Sequence, residues 1–456
     1  MNTENTTSII TRFSNWLRES VMVKLFSITV LILFLLIPQS WVHSIIEERQ
    51  GRLKEVMTEV SEKWSYAQDV TGPVLVVPYN KQTTTHVIIS GKTEERITTT
   101  VEEAYFLPEE LNINSEIKPE TLHRGLFDAI VYNSGITMNG FFVKPDFAAL
   151  NIPQSDILWK DAYVMLGLSD LRGIGEKPVI SINGKQYKTE PSSNLAASLF
   201  DRNIAGKVTV SPNDSLLSFN VTLSLKGSSY LYFYPMGKST RVAMSGNWGN
   251  PSFDGAYLPQ NRTVTRDSFA ADWNVLNFNR PFPQQWLGTS TTLASTAFGV
   301  KLLLPVDQYQ QSTRSAKYGV LIILLTFVSL LLIELIVKIN IHPFQYSLIG
   351  VALVIYYALL ISFSEHIGFN LAYLLSATAI IVLISTYSYS IFKSVKVSAL
   401  LSVLLTTFYG YIYIITQEQD YALLLGSVGL FIIIATLMYV SRSINWYNPK
   451  KMPDSE

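Results

Sequence analysis

Two adjacent residues, Glu365 and His366, have side chains that could carry out proton chemistry, and apolar stretches lie on both sides of them. A carboxylate beside an imidazole raises the pKa of the imidazole into the physiological range, so the pair could relay a proton, bind a lipid headgroup or hold a neighbouring domain. The other interpretation is a polar turn, with His366 capping a helix or donating to a backbone carbonyl. In both interpretations we expect the pair in a short loop between two apolar segments.

A second candidate pair, Glu334 and Lys338, lies at the end of an apolar segment. An acid at the centre of a membrane costs ~2.5 to 3.5 kcal/mol on insertion scales, which makes Glu334 conspicuous. Lys338 follows four residues later, in the order that favours an ion pair on a helix. We therefore expect the two side chains to pair and to reach toward the headgroups, without a transport role.

Aromatic residues and prolines are dense from position 248 to position 282, where Trp248 and Trp273 lie close to Asp254 and Asp267. One interpretation is the core of a sheet domain, since aromatic side chains dominate such cores. The other is a cleft for carbohydrate or peptide, with the indole rings and paired acids contacting an envelope polymer. The sequence leaves both open.

Composition argues against several other kinds of site. The chain has no Cys and five His, and it lacks a His-Glu-x-x-His motif, so we expect neither a metal nor another cofactor. The Arg172–Gly175 segment begins like a dinucleotide loop but lacks the third glycine, and Ser115 with Lys118 matches Ser-x-x-Lys without its partner motifs. We therefore expect no enzymatic activity. Lys plus Arg and Asp plus Glu number 35 each, which gives no field that would favour nucleic acid.

Six apolar segments reach the ~20 residues that a membrane-spanning helix needs. Basic residues precede the first segment. A cleaved signal peptide is the other interpretation of this segment, but its apolar run exceeds the ~7 to 15 residues typical of such peptides. Tyrosines fall mostly near the predicted helix ends, as in interfacial belts. They are Tyr356, Tyr357, Tyr373, Tyr387, Tyr389, Tyr409, Tyr411 and Tyr413. The predicted spans are residues 21–42, 318–337, 344–362, 368–389, 397–416 and 421–440.

Basic residues occur in alternate connections, which sets the expected orientation. Lys338, Lys393, Lys396 and Arg442 lie on one side, and the intervening short loops carry Glu365, Glu418 and Asp420 instead. By the positive-inside rule the tails at 1–20 and 442–456 are cytoplasmic. Residues 43–317 are then periplasmic if the cell is bacterial.

The segment 43–317 must fold as a domain of its own, because it is far longer than a loop. It opens with a predicted amphipathic helix over 44–66, and period-two runs of β-branched and aromatic residues follow. Asn183-Gly184 is the clearest hairpin turn. The fold class expected is an integral membrane protein with one N-terminal and five C-terminal helices, and with a large, mainly β periplasmic domain of one or two modules (67–316) between helices 1 and 2. The strands predicted are 74–77, 86–89, 96–101, 179–182, 207–210, 218–223 and 230–234.

Several stretches resemble, in their amino-acid sequence and in their order along the chain, the CreD family of bacterial inner-membrane proteins. They are EERQGRLKEVMTEVSEKWSYAQDVTGPVLVVPY and the segments at 234–286, 342–369 and 422–434. The resemblance covers roughly residues 47–447. It implies a role in cell-envelope integrity, induction together with an envelope-stress and β-lactam response system, and an association with colicin tolerance. It implies no established reaction and no catalytic residues.

Topology and resemblance together predict a non-enzymatic inner-membrane protein whose periplasmic domain binds, senses or braces an envelope component. Membrane lipids are expected partners, and an envelope glycan, lipid or membrane protein is the further class of partner to test. The alternative is an envelope enzyme or transporter that acts on a lipid-linked substrate through Glu365 and His366. A regulator of a cytoplasmic partner is a third hypothesis, but short cytoplasmic loops leave it little surface.

Overall fold

The computed structural model describes residues 21–89, 92–192, 202–288, 293, 295–303, 308–418 and 421–442. The tails predicted at 1–20 and beyond 442 lie outside these residues. The chain divides into two compact units at Arg52 and Pro305, with the middle segment as one unit and the two flanking segments together as the other. In the described part, six helices are long and apolar enough to cross a membrane. One of them precedes the middle unit and five follow it, as the sequence predicts.

The first helix, α1 (Val21–Trp64), is continuous over 44 residues, although Pro38 lies inside it. The sequence predicts a spanning helix to position 42 and a separate amphipathic helix from position 44. The structure joins them, because His43 and Ser44 are compatible with helix and neither glycine nor proline interrupts the chain there. On the later half, Val56, Met57, Val60 and Trp64 are apolar at helical spacing.

That apolar stripe belongs to the middle unit and packs on its strands, as its spacing predicts. Val60 is buried together with Ala129 and Val131, and Val56, Met57 and Trp64 pack around them.

The end of α1 is held by Asp170, a fully buried carboxylate of the middle unit. It accepts hydrogen bonds from Ser65 Oγ at 3.3 Å and from the backbone N–H of Tyr66 at 3.1 Å. Arg172 Nη2 lies 2.8 Å away and Arg202 Nη1 3.3 Å away. Burial alone would raise the pKa of Asp170, but the hydrogen bonds from Arg172 and from the Tyr66 N–H outweigh it and lower the pKa to about 2.

The middle unit is built of strands. Those in the described residues are β1 Gln68–Ile89, β2 Lys92–Phe106, β3 Glu110–Arg124, β4 Phe127–Val143, β5 Tyr163–Leu168, β6 Val179–Ile182, β7 Lys185–Tyr187, β8 Glu190–Pro191, β9 Asn203–Lys207, β10 Leu216–Ser228, β11 Tyr230–Phe233, β12 Ser239–Gly246, β13 Pro251–Gly255, β14 Asn261–Val264, β15 Phe269–Leu276, β16 Gln285–Leu287 and β17 Phe298–Leu302.

The strands form two sheets. One has the order β13-β17-β11-β1-β5-β9-β8, with β2 pairing with the second half of β1 and with β16. The other has the order β14-β15-β12-β3-β4-β10-β6-β7. The β6–β7 hairpin turns at Asn183 and Gly184, both with positive φ, as the Asn-Gly pair predicts.

One hydrophobic core serves both sheets, so the middle unit is a single β domain. Strands of the second sheet alternate buried and exposed residues, as in β15, where Phe269, Ala271, Trp273 and Val275 are buried. The central strand β5 is buried along its whole length. The predicted strand 207–210 is wrong in extent, since β9 ends at Lys207.

In the part of the chain that the structure describes, six helices follow the β domain. They are α2 Gln308–Lys317, α3 Gly319–Val337, α4 Pro343–Ile367, α5 Phe369–Phe392, α6 Val395–Gln417 and α7 Ala422–Ser441. The sequence does not predict α2, because its residues QYQQSTRSAK lack apolar periodicity. It buries Tyr309 and the small residues Ser312, Ser315 and Ala316 instead. Its Ala316 carbonyl accepts a hydrogen bond from Gln39 Nε2 of α1 at 3.0 Å.

The helical unit has its own apolar core. Residues of α1 such as Leu35 and Val42 are buried against α3 and α4, and α5 and α6 complete the cluster. No residue of α7 is buried within the part of the chain that the structure describes. The apolar side chains left exposed on these spanning helices contact lipid.

Candidate functional site

Glu365 is at the Ile367 end of α4 and takes part in a polar cluster of three helices. Its side chain is 7% exposed, and its Oε1 lies 3.4 Å from Nε of Arg49 in α1. The same oxygen accepts a hydrogen bond from Tyr309 Oη of α2 at 3.0 Å. The carboxylate therefore connects α1, α2 and α4.

The loop position expected for Glu365 and His366 is wrong. Helix α4 continues to Ile367 and ends at Gly368, whose φ is +77°, so both residues lie in its last turn. Neighbours in a helix point in different directions, and His366 is exposed while Glu365 is not. Among the described residues, no hydrogen bond or ion pair joins the two side chains.

The expected ion pair between Glu334 and Lys338 is wrong as well. Helix α3 ends at Val337, and Lys338 is left-handed with a φ of +57°, so the i,i+4 geometry is lost. Glu334 is instead paired with Lys24 of α1, whose Nζ is 2.6 Å from Oε1. Tyr346 Oη donates to Oε2 at 2.8 Å, and the Ile341 N–H donates to Oε1 at 3.1 Å.

These two clusters explain how charge is tolerated in the helical unit. Lys24 and Arg49 are 25 residues apart in α1, or ~37 Å along a helix, which approaches the ~40 to 45 Å of a bilayer with its headgroup regions. A spacing of this length would place the charged groups near the two surfaces of a membrane. Both carboxylates are engaged in helix–helix contacts, which gives them a structural role.

Four of the eight tyrosines expected at the interfaces, Tyr356, Tyr357, Tyr373 and Tyr409, are buried inside the helical unit instead, whereas Tyr389 is exposed near the end of α5. Tyr356, Tyr357 and Tyr409 are at most 2% exposed and lie near the middle of α4 and α6. The Tyr356 ring is 4.7 Å from both of the other two. Tyr373 Oη donates to the Tyr409 carbonyl at 2.7 Å. Their position in the sequence near apolar runs does not distinguish an interfacial ring from a buried one.

The tryptophans proposed as a binding cleft belong to the core of the β domain. Trp273 is 2% exposed, and its Nε1 donates to the Tyr257 carbonyl at 3.0 Å. Trp248 packs against the core, and its Nε1 donates to the Leu303 carbonyl at 3.0 Å. Asp254 accepts a hydrogen bond from Tyr232 Oη at 2.9 Å. The two indole N–H groups and one oxygen of Asp254 are therefore engaged within the fold.

A different cleft opens where the β1–β2 hairpin leaves the first sheet. It is an open cleft of about 540 Å³. Its polar groups come from the two strands and from a loop between β4 and β5, and its apolar groups from that loop and from β16. The lining residues are Tyr79, Lys81, Glu102, Leu150, Asn151, Ile152, Leu287 and Gly288.

The charged groups of this cleft are held by the hairpin register. Tyr79 is paired with Glu102 across the two strands, and Lys81 with Thr100, so all four side chains share one face. Lys81 Nζ is 2.8 Å from Glu102 Oε1, and Tyr79 Oη donates to Oε2 at 2.9 Å. The Lys81 hydrogen bond lowers the pKa of Glu102, whereas burial, aided by Glu102, raises the pKa of Tyr79 to about 12.

This cleft was not predicted from the sequence. Lys81 and Glu102 are 21 residues apart, and no motif connects them. The available signal is the pairing of the strands predicted at 86–89 and 96–101. Extending that pairing toward the hairpin root brings Tyr79, Lys81 and Glu102 together.

Six spanning helices and a β domain between the first and second define a multi-pass membrane protein. The family model described as Inner membrane protein CreD matches residues 20–447, so the chain belongs to the CreD family and is an inner-membrane protein. Inner membrane protein CreD of Escherichia coli (strain K12) is 29% identical over 437 residues, which cover 94% of this chain and 95% of that protein.

A solved structure of a zinc metallopeptidase of the M1 class from Deinococcus radiodurans, bound to a peptide substrate, is also similar. The match covers 76% of this chain and 95% of that one at 8% identity. Its TM-score is 0.19, which carries no argument about fold or function.

Proposed function

We propose that this protein maintains the cell envelope under envelope or β-lactam stress, without catalysing a reaction. In this proposal the β domain is periplasmic, both termini are cytoplasmic, and the domain binds or senses an envelope component. The helical unit anchors it in the inner membrane.

The charges of the connections support this orientation. Basic residues follow α3, α5 and α7, whereas one acid lies in the last turn of α4 and another in the connection that follows α6. The positive-inside rule assigns the basic side to the cytoplasm. Because α1 crosses the membrane once before the β domain begins, the β domain then lies on the opposite side, in the periplasm. The basic residues are Lys338, Lys393, Lys396 and Arg442, and the acids on the opposite side are Glu365 and Glu418.

The observation that carries the binding role is the cleft at the hairpin root. Glu334 and Glu365 are engaged in helix contacts, whereas Lys81 and Glu102 are side chains 51% and 36% exposed in an open cavity. A partly exposed ion pair contributes little to stability, and its groups can exchange their mutual bond for bonds to a ligand. The β domain is therefore the part of the chain best suited to bind an envelope component.

Complementation of a strain that lacks the gene tests this proposal. We expect Lys81→Met with Glu102→Gln to reach normal membrane levels and to lose resistance to β-lactam and detergent. The matched control is Arg241→Met with Glu110→Gln, which removes an ion pair of similar exposure on the second sheet. Full resistance of the cleft variant would contradict the proposed role of the cleft.

The same assay tests the alternative of an enzyme or transporter acting at Glu365 and His366. His366→Ala removes an exposed side chain and is expected to retain resistance. Glu365→Gln keeps the hydrogen bond from Tyr309 and is also expected to retain it. Loss of resistance in His366→Ala at normal protein levels would favour the alternative.

A further inference from the structure

The outer edge of β2 is only partly covered. β16 pairs with β2 at Ala104, Tyr105 and Phe106. The Leu107 N–H donates to the Gln284 carbonyl at 3.0 Å, and the Gly288 N–H donates to the Glu103 carbonyl at 3.3 Å. Odd-numbered residues of β2 therefore direct their backbone groups away from β1, since the two edges of a strand alternate.

Beyond Glu103 the same edge continues without a partner strand among the described residues. Gly288 has a φ of +68°, which turns the chain at the end of β16. By alternation, Val101, Thr99 and Ile97 direct their N–H and C=O groups outward. Val101 and Ile97 are each 63% exposed, and neither proline nor a bulge protects this edge.

The cleft lies next to this free edge, where β2 has no partner strand among the described residues. Leu287 of β16 is paired with Ala104, which is on the same face of β2 as Glu102 and Thr100. A strand added beyond Gly288 in the register of β16 would place alternate side chains opposite Glu102 and Thr100, and thus in the cleft. Its other side chains would lie on the face of Val101 and Ile97.

We propose that the cleft and the free edge of β2 together bind an extended peptide segment of another protein by strand addition. The backbone groups of Val101, Thr99 and Ile97 supply affinity through hydrogen bonds to the peptide backbone. The cleft binds alternate side chains of the peptide and so provides specificity. Leu150, Ile152 and Leu287 favour an aliphatic residue. This inference rests on the proposed function in that it assumes an exported β domain that meets envelope proteins.

The chemistry of the site favours a polypeptide over a glycan. A row of alternating N–H and C=O groups matches a peptide backbone, whereas glycan sites usually present an aromatic face for stacking. The Tyr79 ring, 4% exposed, offers no such face. Lys81 and Glu102 would then select charge at the residues opposite them.

The test uses the full-length protein in nanodiscs and a pool of hexapeptides randomised at alternate positions. Val101→Pro removes the outward N–H at an edge position that tolerates proline, while the pairing of β2 with β1 uses the even-numbered residues. Selected peptides are expected to bind Val101→Pro about tenfold more weakly, as the loss of one hydrogen bond implies. Val101→Thr keeps the N–H and the strand preference, and is expected to bind as tightly as the original protein.

A peptide methylated at alternate amide nitrogens repeats the test without altering the protein, should Val101→Pro fail to fold. We expect methylation in one register to abolish binding and in the other to spare it. The inference would be overturned if no peptide bound the original protein more tightly than it binds Val101→Pro. Equal binding of methylated and unmethylated peptides would do so as well, and so would preference for a chitin or peptidoglycan oligosaccharide.

Failure of this inference is distinguishable from failure of the proposed function. If the cleft variant loses stress resistance while no peptide binds, the function stands and the ligand is of another class. If peptides bind in the predicted register while the cleft variant keeps full resistance, the site stands and its role in the stress response does not.

Discussion

At the scale of single residues, Glu334 shows how an acid is accommodated in a spanning helix. Its side chain is 2% exposed and accepts hydrogen bonds from Lys24, Tyr346 and the Ile341 N–H. The desolvation that makes such a charge costly is offset when its acceptor sites are filled. Glu334 is therefore expected to stabilise the contact of α1 with α3 and α4.

Lys24→Met should destabilise the protein by about 3 kcal/mol, because it leaves the 2% exposed Glu334 without its counter-charge. Glu334→Gln should destabilise it less, since Lys24 is 20% exposed and keeps its hydrogen bond to Asn340. The double variant should recover most of this loss, since it removes both charges. The measurement is the thermal unfolding midpoint of the full-length protein in detergent.

Lys338→Ala is the matched control, because Lys338 is the partner that sequence spacing suggests. The Lys338 side chain is exposed and its backbone conformation is left-handed. The variant is therefore expected to leave the unfolding midpoint unchanged. Equal destabilisation by Lys338→Ala and Lys24→Met would refute the pairing observed in the structure.

Asp170 makes stability of the β domain depend on pH. Its folded pKa of about 2 lies below the ~3.9 of an unfolded aspartate, so the ionised form is favoured by folding. The resulting stabilisation, about 2 kcal/mol, is complete above about pH 5 and is lost as the pH falls toward 2. Asp170→Asn should lower stability at pH 7 and flatten the decline between pH 5 and pH 3, as measured by urea unfolding of the full-length protein.

Asp161→Asn provides the comparison, since Asp161 is 54% exposed and pairs with Lys207 at the surface. It should change stability by less than about 1 kcal/mol at either pH. An unaltered pH profile for Asp170→Asn would show that another group dominates the acid response.

At the scale of elements, the approach of α1 to α3 and α4 depends on Gly350. A Cβ built at Gly350 would lie 2.3 Å from Leu35 Cδ1 and 2.9 Å from Phe327 Cζ. Close helix approach at small residues is a main source of helix association in membranes, where apolar side chains gain little by leaving lipid.

Gly350→Leu should therefore separate α1 from the other helices and lower the unfolding midpoint, with a loss of about 1 to 3 kcal/mol from overpacking. Gly410→Leu is the control, because a Cβ at Gly410 in α6 meets nothing within 4 Å. The measurement is the thermal unfolding midpoint of both variants in detergent. Similar midpoints for the two would argue against close packing of α1 at Gly350.

At the scale of the whole molecule, the proposed orientation can be measured without background because the chain has no Cys. Ser215 is exposed in the β domain, and Val395 is exposed at the start of α6. With a membrane-impermeant maleimide on spheroplasts, Ser215→Cys should be labelled and Val395→Cys protected, because the basic α5–α6 connection is expected to be cytoplasmic. Permeabilised cells should label both, and the reverse pattern in intact spheroplasts would overturn the orientation.

The membrane architecture could be predicted from the sequence because its signals are local. A span needs ~20 apolar residues in succession, and a half-buried strand needs alternation over a few residues. These rules found six spanning helices and the β character of the middle segment. They missed α2, whose buried positions are serines and alanine, and they misplaced Tyr356 and Tyr409, because a buried tyrosine and an interfacial one have the same neighbours along the chain.

The sequence by itself determined the membrane class, the family resemblance and the division into helical and β segments. Only the tertiary structure decided which charges meet. Glu334 pairs with Lys24, 310 residues away, and Glu365 with Arg49, whereas the nearby Lys338 and His366 remain apart from them. The physical reason is that an ion pair depends on which elements become neighbours and in which register, and neither is a property of the residues next to it in the chain.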